Sequence, residues 1–459
     1  MTTEPVTHLA PAAGEHTATD GQPERAEVLP AGPRGDWPRT NRLLPWTLAG
    51  FIAMLYLVPF DATTLPVGLP VDSKLDRLII PVLAVVWLVC AFEGRPGRPV
   101  LRRSPMNVAI FAFAAVACTS VALNLSQLAH SNELILSVKK LSLLGSYVLF
   151  FFIVATSVRP REVNAFLTLV LGLAAMTALG TVYEYRYGTN PFYQLTMHAL
   201  PFGNVRLPDE PSGEFARRLV VGPTGHGLAD ATLVFMALPI AVVSLVRAPT
   251  AGRKLTLLAL IALLVAGGLA TERRTAVILP LVAIAVLVAY RPRVFSRYWP
   301  AILVVALIVR VVAPGAVSGV VYQFGIVGTS SSTAERVQDY AAVWPDIATH
   351  LAFGRGFGSY DPVKYRFLDN QVLGAVVEVG LVGAMAYIVL ILSAVLSVHR
   401  LARHRDLARA GPAIGIAAAS AAFLAANFLY DAFGFRHGPY VFMLLAGLGV
   451  VLAADEPAW

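Results

Sequence analysis

Long apolar runs separated by short polar segments fill the sequence after residue 42. A membrane core about 30 Å thick is crossed by a helix of about 20 apolar residues, and this window finds twelve runs. They lie near residues 43–60, 77–93, 106–124, 137–157, 162–184, 226–247, 254–271, 275–290, 298–314, 371–398, 412–430 and 437–454. The pattern predicts an all-α polytopic membrane protein with about twelve transmembrane helices.

The polar segments predict the domain organisation. Residues 1–40 are rich in Pro, Ala, Gly, Thr and acidic residues and lack apolar periodicity, so we expect a disordered tail there. The transmembrane domain then covers residues 41–459. Because the first apolar run begins only near Leu43, no cleavable signal peptide is expected.

Two of the polar segments, at about 185–225 and 315–370, are too long to be plain connectors. The second lies before the tenth predicted helix. It contains a helical stretch, Thr333 to His350, followed by the glycine-rich sequence FGRGFGSYDP. On the predicted topology both segments are extracytoplasmic, so we expect any chemistry on the outer face.

Composition and charge support the membrane assignment. Charged residues make up 14% of the 459 residues, against about 25% in soluble domains, which excludes a large water-soluble fold. The net charge of +8 would suggest nucleic acid in a soluble chain, but the basic residues follow membrane topology. With residues 1–40 in the cytoplasm, sixteen basic residues fall in short inner loops and seven at the outer side. This bias places both termini in the cytoplasm and indicates no nucleic-acid partner.

The cysteines and two outer lysines add little to the functional picture. Cys90 and Cys118 lie inside apolar runs without metal-ligand spacing, so neither a metal site nor a cofactor is expected. Lys139 and Lys140 lie at the outer end of their predicted helix, where we expect them to extend toward the lipid headgroups.

Three arginines are candidates for binding an anion. Arg273 and Arg274 lie in the turn ATERRTAVILP, on the side where the charge rule disfavours them, although interfacial arginines also occur at helix ends. Arg336, in STAERVQDYAAVWPDI, lies on the predicted loop helix and could face the same pocket or pair with Asp339. Paired guanidinium groups suit a diphosphate because each can make two charge-assisted hydrogen bonds.

Three further residues could carry or stabilise a proton. Asp369 precedes the apolar helix in LDNQVLGAVVEVGLVG and could act as a general base, or merely cap that helix. His226, in VVGPTGHGLADATLVF, could be a second proton carrier or an ordinary interfacial histidine. Glu378 lies nine residues after Asp369, which is about 13 Å and about 180° around a helix. We therefore expect Glu378 to face away from Asp369 as a buried polar contact.

Five motifs follow one another over residues 220–400: a GPTGH entry to a helix, an ERRTA turn, the loop helix with Arg336, LAFGRGFGSY, and DNQVLGAVVEVGLVG. This series resembles the O-antigen ligase and Wzy-type polysaccharide polymerase superfamily. The ligases of the family place a histidine followed by Asn where this chain has Asp369 and Asn370. The difference favours a polymerase-like or other lipid-linked glycan transferase over a lipid A-core ligase.

The resemblance implies a GT-C-like membrane fold and a metal-independent, inverting glycosyltransferase of surface polysaccharide biosynthesis in the bacterial cytoplasmic membrane. A glycan would pass from a polyprenyl diphosphate carrier to an acceptor sugar hydroxyl, without a cofactor. Arg274 and Arg336 look like the diphosphate-binding arginines of the family, and Arg273 like a supporting contact. Asp369 is the candidate base, with His226 as the alternative. The implied partners are the carrier-linked glycan, the acceptor glycan, membrane lipid and envelope polysaccharide assembly proteins.

Two other functions are compatible with the sequence. A transporter or flippase of a lipid-linked sugar or small anion would hold its substrate near the membrane midplane on broken helices. A non-catalytic scaffold would tolerate alanine at Arg274, Arg336 and Asp369. The position of these three residues at the predicted outer boundary favours the enzyme.

Overall fold

The computed structural model describes residues 35–64, 74–92, 100–200, 204–205, 220–325 and 331–454, with backbone alone at 331–337. Residues 1–34 of the predicted tail lie outside this part, and so does the side chain of Arg336.

Helices make up nearly all of the regular structure in the described residues. They are α1 (Leu43–Leu57), α2 (Leu75–Phe92), α3 (Pro105–Leu123), α4 (Leu125–His130), α5 (Leu134–Ser157), α6 (Val163–Tyr187), α7 (Pro191–Ala199), α8 (Gly227–Arg247), α9 (Ala251–Ala270), α10 (Thr275–Tyr290), α11 (Pro292–Phe295), α12 (Trp299–Val312), α13 (Ala316–Gly325), α14 (Ser331–Thr349), α15 (Gln371–Ala402), α16 (Leu407–Ala426) and α17 (His437–Ala454). Two short strands, β1 (Thr63–Thr64) and β2 (Asn204–Val205), pair antiparallel. Single 3₁₀ turns lie at Pro160–Glu162, Gly222–Thr224 and Ser296–Tyr298.

Every apolar run of the sequence forms a helix. Within the described part, ten helical segments are long and apolar enough to cross a membrane, and α1 and α10 are shorter apolar helices of 15 and 16 residues. The prediction of an all-α polytopic membrane protein is therefore confirmed. The predicted helix between Thr333 and His350 is also present, as α14. The exact number of spans and the side of the long loop stay predictions.

Polar residues begin several of these helices, as capping requires. Ser104, Thr250 and Asp406 each accept a hydrogen bond from a backbone N–H in the first turn of α3, α9 and α16. At the other end, α6 stops at Gly188, whose φ of 71° lies in the left-handed region that glycine adopts at little cost. These local signals set the helix ends between the apolar runs.

Helices α8, α16 and α17 form the centre of the bundle, and most of their residues are buried. Helix α16 packs between α8 and α15, and α15 also contacts α3. Small residues allow close approach: a Cβ at Gly267 of α9 would lie 2.7 Å from the Cα of Ala178 on α6. Helices α2 and α12 lie at the periphery and expose large apolar side chains, as lipid-facing helices do.

The packed chain begins before residue 41. Trp37 is buried and stacks on Phe166 with ring centroids 4.6 Å apart. Its backbone N–H donates to Glu162 Oε1 at 2.8 Å. Residues 35–40, which the composition assigned to the tail, therefore belong to the bundle, because a tryptophan in this polar stretch finds an apolar partner.

Helix α15 is interrupted at Gly380, where φ is 68° and ψ is −173°. Residues 351–356 run beside this interruption and pair with the backbone groups that it frees. The four hydrogen bonds join Arg355 N to Val377 O at 3.1 Å, Gly356 N to Glu378 O at 3.0 Å, Leu381 N to Leu351 O at 2.9 Å, and Val382 N to Ala352 O at 3.2 Å. We call residues 351–356 the strap.

Glycine is required on both sides of this contact. A Cβ at Gly380 would lie 2.3 Å from the carbonyl carbon of Ala352, and one at Gly354 would lie 2.3 Å from that of Glu378. Both glycines also have positive φ. Asn124, which follows α3, donates to the carbonyl of Gly354 at 3.0 Å. The glycine-rich sequence thus serves to dock the strap on a broken helix.

Candidate functional site

A cavity of about 650 Å³ opens at the end of the bundle where α5, α15 and α17 begin. Aromatic residues form part of its wall, including Phe357, Tyr360 and Phe433. Its charged lining residues are Arg77, Lys139, Lys140, Asp361, Asp369, Glu378, Asp431 and Arg436. A space of this size, with polar groups converging on an aromatic wall, is typical of a small-molecule site.

Two of the five predicted site residues line this cavity, and a third lies next to it. Asp369 and His226 line it. Arg273 lies beside them: a Cβ at Gly227 would be 3.4 Å from Arg273 Nε. Burial lowers the pKa of Arg273, and the charges of Asp369 and Glu272 oppose that shift. The structure thus brings together residues that are far apart in the sequence.

The two predicted diphosphate-binding arginines have different outcomes. Arg274 Nε donates to the backbone oxygen of Gln323 on α13 at 2.9 Å. Its guanidinium group is therefore anchored to the segment between α12 and α14. Arg336 lies in the first turns of α14, but its side chain is outside the described part. Diphosphate binding by this pair stays a prediction.

At the start of α15, one residue caps the helix and the residue before it lines the cavity. Asn370 is the N-cap, and its Oδ1 accepts from the backbone N–H groups of Val372 at 3.0 Å and Leu373 at 3.1 Å. The preceding Asp369 is exposed and lines the cavity. Because Asn370 performs the capping, the carboxylate of Asp369 is not required for it.

His226 lies immediately before α8 and stacks on Phe435, with ring centroids 4.5 Å apart. Burial, assisted by the charge of Arg273, lowers the pKa of His226 to about 4. Its Nδ1 atom has no hydrogen-bond partner among the described residues. At neutral pH the ring is therefore uncharged.

Glu378 lines the same cavity as Asp369, so the expectation that the two residues face apart is wrong. Helical periodicity does not relate them because Asp369 precedes the N-cap, whose backbone is extended. Within the helix, Gln371, Gly374 and Glu378 share one face and all line the cavity. The prediction that Glu378 is a buried polar contact is confirmed by its low exposure of 7%.

Lys140 makes that contact: its Nζ lies 3.1 Å from Glu378 Oε1. The backbone N–H of Tyr360 donates to the same carboxylate oxygen at 3.3 Å. Lys139 also lines the cavity. The two lysines therefore contribute positive charge to the cavity wall, in contrast to the interfacial position expected from the sequence.

Asp431 is a site residue that the sequence analysis missed. It lies in the loop between α16 and α17, and its side chain is open to the cavity while protein surrounds it on the other sides. Burial raises the pKa of Asp431, as do the charges of Glu378 and Asp369, whereas Lys140 opposes the shift. Its Oδ1 accepts from the N–H of Gly434 at 3.2 Å. The sequence signal that could have indicated Asp431 was the cluster of polar residues in YDAFGFRHG, between two apolar runs.

Two networks of ion pairs hold the walls of the cavity. Arg436 lies 2.8 Å from Asp76 on α2 and 3.2 Å from Asp61 after α1, which fixes the start of α17. Arg355 of the strap is buried and lies 3.0 Å from Glu133 at the start of α5. Among the described residues, no group of three or more His, Cys, Asp or Glu side chains is placed to hold a metal ion.

The fold and the cavity define a polytopic membrane protein with a polar site at one end of its helical bundle. Residues 257–388 match the family model described as O-antigen ligase, Wzy_C, so this segment is similar to the O-antigen ligase family. The family consists of glycosyl-transferring enzymes of surface polysaccharide biosynthesis. None of the curated proteins matches the chain significantly. The matched segment contains Arg273, Arg274 and Asp369, whereas His226 and Asp431 lie outside it.

Proposed function

We propose that the protein transfers a glycan from a polyprenyl diphosphate carrier to a hydroxyl of an acceptor glycan at the outer face of the bacterial cytoplasmic membrane. Both termini would lie in the cytoplasm. The observation that carries this proposal is the convergence of Asp369, His226 and Asp431 on one cavity, beside the family-matching segment.

The position of the cavity supports an enzyme over a transporter. Transporters bind substrate near the membrane midplane on broken helices, whose freed backbone groups contact the substrate. Here the cavity lies at one end of the bundle, where α15 and α17 begin. The broken helix α15 is present, but the strap already pairs with its freed backbone groups near Gly380. The break therefore serves internal packing.

The proposed reaction is a direct displacement at the anomeric carbon of the donor sugar. The acceptor oxygen forms a bond to this carbon while the bond to the diphosphate oxygen breaks, and the electron pair leaves with the diphosphate. A single displacement inverts the anomeric configuration. Asp369 takes the proton of the attacking hydroxyl, and His226, neutral above a pH of about 4, is the alternative base.

Fixed cations would stabilise the charge that develops on the leaving diphosphate, without a metal ion. Arg274 and Arg336 are the proposed ligands, and Arg273 beside Asp369 is the proposed supporting contact. Asp431 adds a second carboxyl group whose environment differs from that of Asp369. Since its raised pKa lets it keep a proton to higher pH, we assign it hydrogen-bond donation to the leaving oxygen.

The acceptor distinguishes a polymerase from a ligase. Because Asp369 replaces the histidine of the ligases that this chain resembles, we favour polymerisation of carrier-linked oligosaccharide, in contact with envelope polysaccharide assembly proteins. The transport of a lipid-linked sugar or small anion is the second candidate. It would be supported if the variants below left glycan linkage intact but changed the side of the membrane on which the lipid-linked substrate accumulates.

The test is glycan analysis of a deletion strain complemented with wild type or with Asp369→Asn, Arg274→Ala or Arg336→Ala. Arg297→Gln, an exposed arginine at the other end of the bundle, is the control. With equal membrane expression, we expect the three site variants to accumulate short lipid-linked oligosaccharide and to lack long glycan. Full-length glycan in all three would refute the assignment of the site.

A further inference from the structure

A second cavity, of about 440 Å³, lies at the end of the bundle opposite the candidate site. The starts of α6, α9 and α16 and the end of α8 form its walls. Helix α8 begins next to His226 and ends at Arg247, and its 21 residues span about 31 Å. The second cavity is therefore separate from the proposed reaction.

Two arginines from neighbouring helices line this cavity. Arg247 ends α8 and is half-buried, and Arg253 lies in the first turn of α9. The two guanidinium groups are close enough to repel, and Asp406 is the neighbouring acid. Asp406 already accepts from the N–H of Ala408 as the cap of α16. In the described part of the chain, neither arginine side chain makes a hydrogen bond or an ion pair. The arrangement leaves positive charge that an anion would neutralise.

The absence of a side chain at Gly411 of α16 leaves room for the side chain of Arg247. A Cβ at Gly411 would lie 2.6 Å from the Cδ of Arg247 and 2.9 Å from the Cγ1 of Val243. The side chain of Arg247 therefore packs against Gly411 near the start of α16. The arginine is thus part of the packed wall and does not extend freely into solvent.

The other polar side chains that line the cavity are those of Asn164, Thr168 and Ser244. Thr168 and Ser244 donate their hydroxyl protons to carbonyls of their own helices, at 2.8 and 2.7 Å. The donors left for an anion are the two guanidinium groups and the amide of Asn164. Planar guanidinium groups suit phosphate oxygens because they donate in pairs.

The deeper walls are apolar. They consist of Leu167 and Leu171 on α6, Ile240 and Val243 on α8, and Pro412 and Gly415 on α16. From Asn164 at the rim to Leu171 the groove runs about 10 Å along α6, toward the middle of the membrane. A free phosphate ion would use only the rim, whereas a phospholipid would use both the rim and the groove.

We propose that this cavity binds an anionic phospholipid, with its phosphate between Arg247 and Arg253 and an acyl chain along the groove between α6, α8 and α16. Basic pockets between transmembrane helices bind anionic headgroups in this manner. On the proposed topology the bound lipid belongs to the cytoplasmic leaflet.

The test is native mass spectrometry of the full-length protein, purified in neutral detergent, with added dioleoyl phosphatidylglycerol, dioleoyl phosphatidylcholine or inorganic phosphate. We expect tight binding of phosphatidylglycerol alone. Each of Arg247→Gln and Arg253→Gln should raise its Kd about fivefold, and the double variant about 25-fold. The double variant Arg293→Gln/Arg297→Gln, which removes the same charge from exposed positions at the same end, should leave the Kd unchanged.

Thr168→Trp tests the groove without removing charge. Thr168 is exposed on α6 and lines the cavity, so a tryptophan there would fill the groove and should also weaken lipid binding. An unchanged Kd for phosphatidylglycerol in the Arg247→Gln/Arg253→Gln double variant would overturn the proposal. So would inorganic phosphate that displaces the lipid at similar concentration, or equal affinity for phosphatidylcholine. None of these outcomes depends on glycan transfer, so the proposal can fail or stand separately from the proposed function.

Discussion

Substitution of Gly380 by alanine tests the contact between the strap and α15. A Cβ at this position would lie 2.3 Å from the carbonyl group of Ala352, so one backbone segment must move. A backbone with φ of 68° and ψ of −173° is adopted essentially only by glycine, and it costs a residue with a Cβ about 1–3 kcal/mol. Displacement of residues 351–352 would also break the two hydrogen bonds made by Leu381 and Val382, worth about 1 kcal/mol each. We expect Gly380→Ala to lower the free energy of unfolding by about 3–5 kcal/mol.

Gly374→Ala is the matched control, since this glycine lies in the same helix and nothing lies within 4 Å of the added Cβ. Replacing a helical glycine with alanine should stabilise the protein by up to about 1 kcal/mol. Reversible unfolding in mixed micelles measures both values, and limited proteolysis reports whether residues 351–356 become accessible. Equal stability of the two variants, with the strap still protected, would refute the role assigned to Gly380.

Three other predictions follow from the site. In membrane vesicles that convert accumulated lipid-linked oligosaccharide, we expect transfer to fall as pH rises through the raised pKa of Asp431, because the ionised carboxylate no longer donates. Asp431→Asn should remove this alkaline fall, and its persistence at the same pH would contradict the assignment. Burial opposes ionisation of Glu133, but hydrogen bonds from Lys364, Tyr365 and Ser131 and the charge of Arg355 together lower its pKa. The ionised Glu133 therefore stabilises the folded protein above the ordinary glutamate pKa, and this stabilisation is lost as pH falls through the lower pKa of the folded state. The thermal unfolding temperature of Glu133→Gln should therefore change less with acid pH than that of the wild type. Gln371→Ala should slow transfer, because it removes the side-chain oxygen that accepts from the N–H of Phe433. Gln371→Glu keeps this acceptor and should retain more activity in the same assay.

The sequence was sufficient to predict the helices because each helix that crosses the membrane needs an apolar run of about 20 residues. It also selected Asp369 and His226 as candidates, because they stand out as polar residues at helix starts, and both line the cavity. Asp431 was missed because it lies on an irregular loop, where no period relates it to its neighbours. The position of Glu378 was mistaken because a helical period was extended through Asp369, which precedes the helix. Periodicity predicts which residues share a face within an element, but not how a preceding loop residue is directed.

The site is built from two parts of the chain, and backbone hydrogen bonds at the start of α15 join them. The family-matching segment supplies Asp369 and Glu378, whereas Lys140 and Asp431 come from outside it. Gln371 connects these parts: its N–H donates to the carbonyl of Tyr430 at 3.2 Å, and its side-chain oxygen accepts from the N–H of Phe433 at 2.9 Å. Asp431 lies between these two contacts in the sequence. The carboxyl groups of Asp369 and Asp431 are thus carried by segments that are bonded to each other, which fixes the relative position of these segments as the proposed displacement would require.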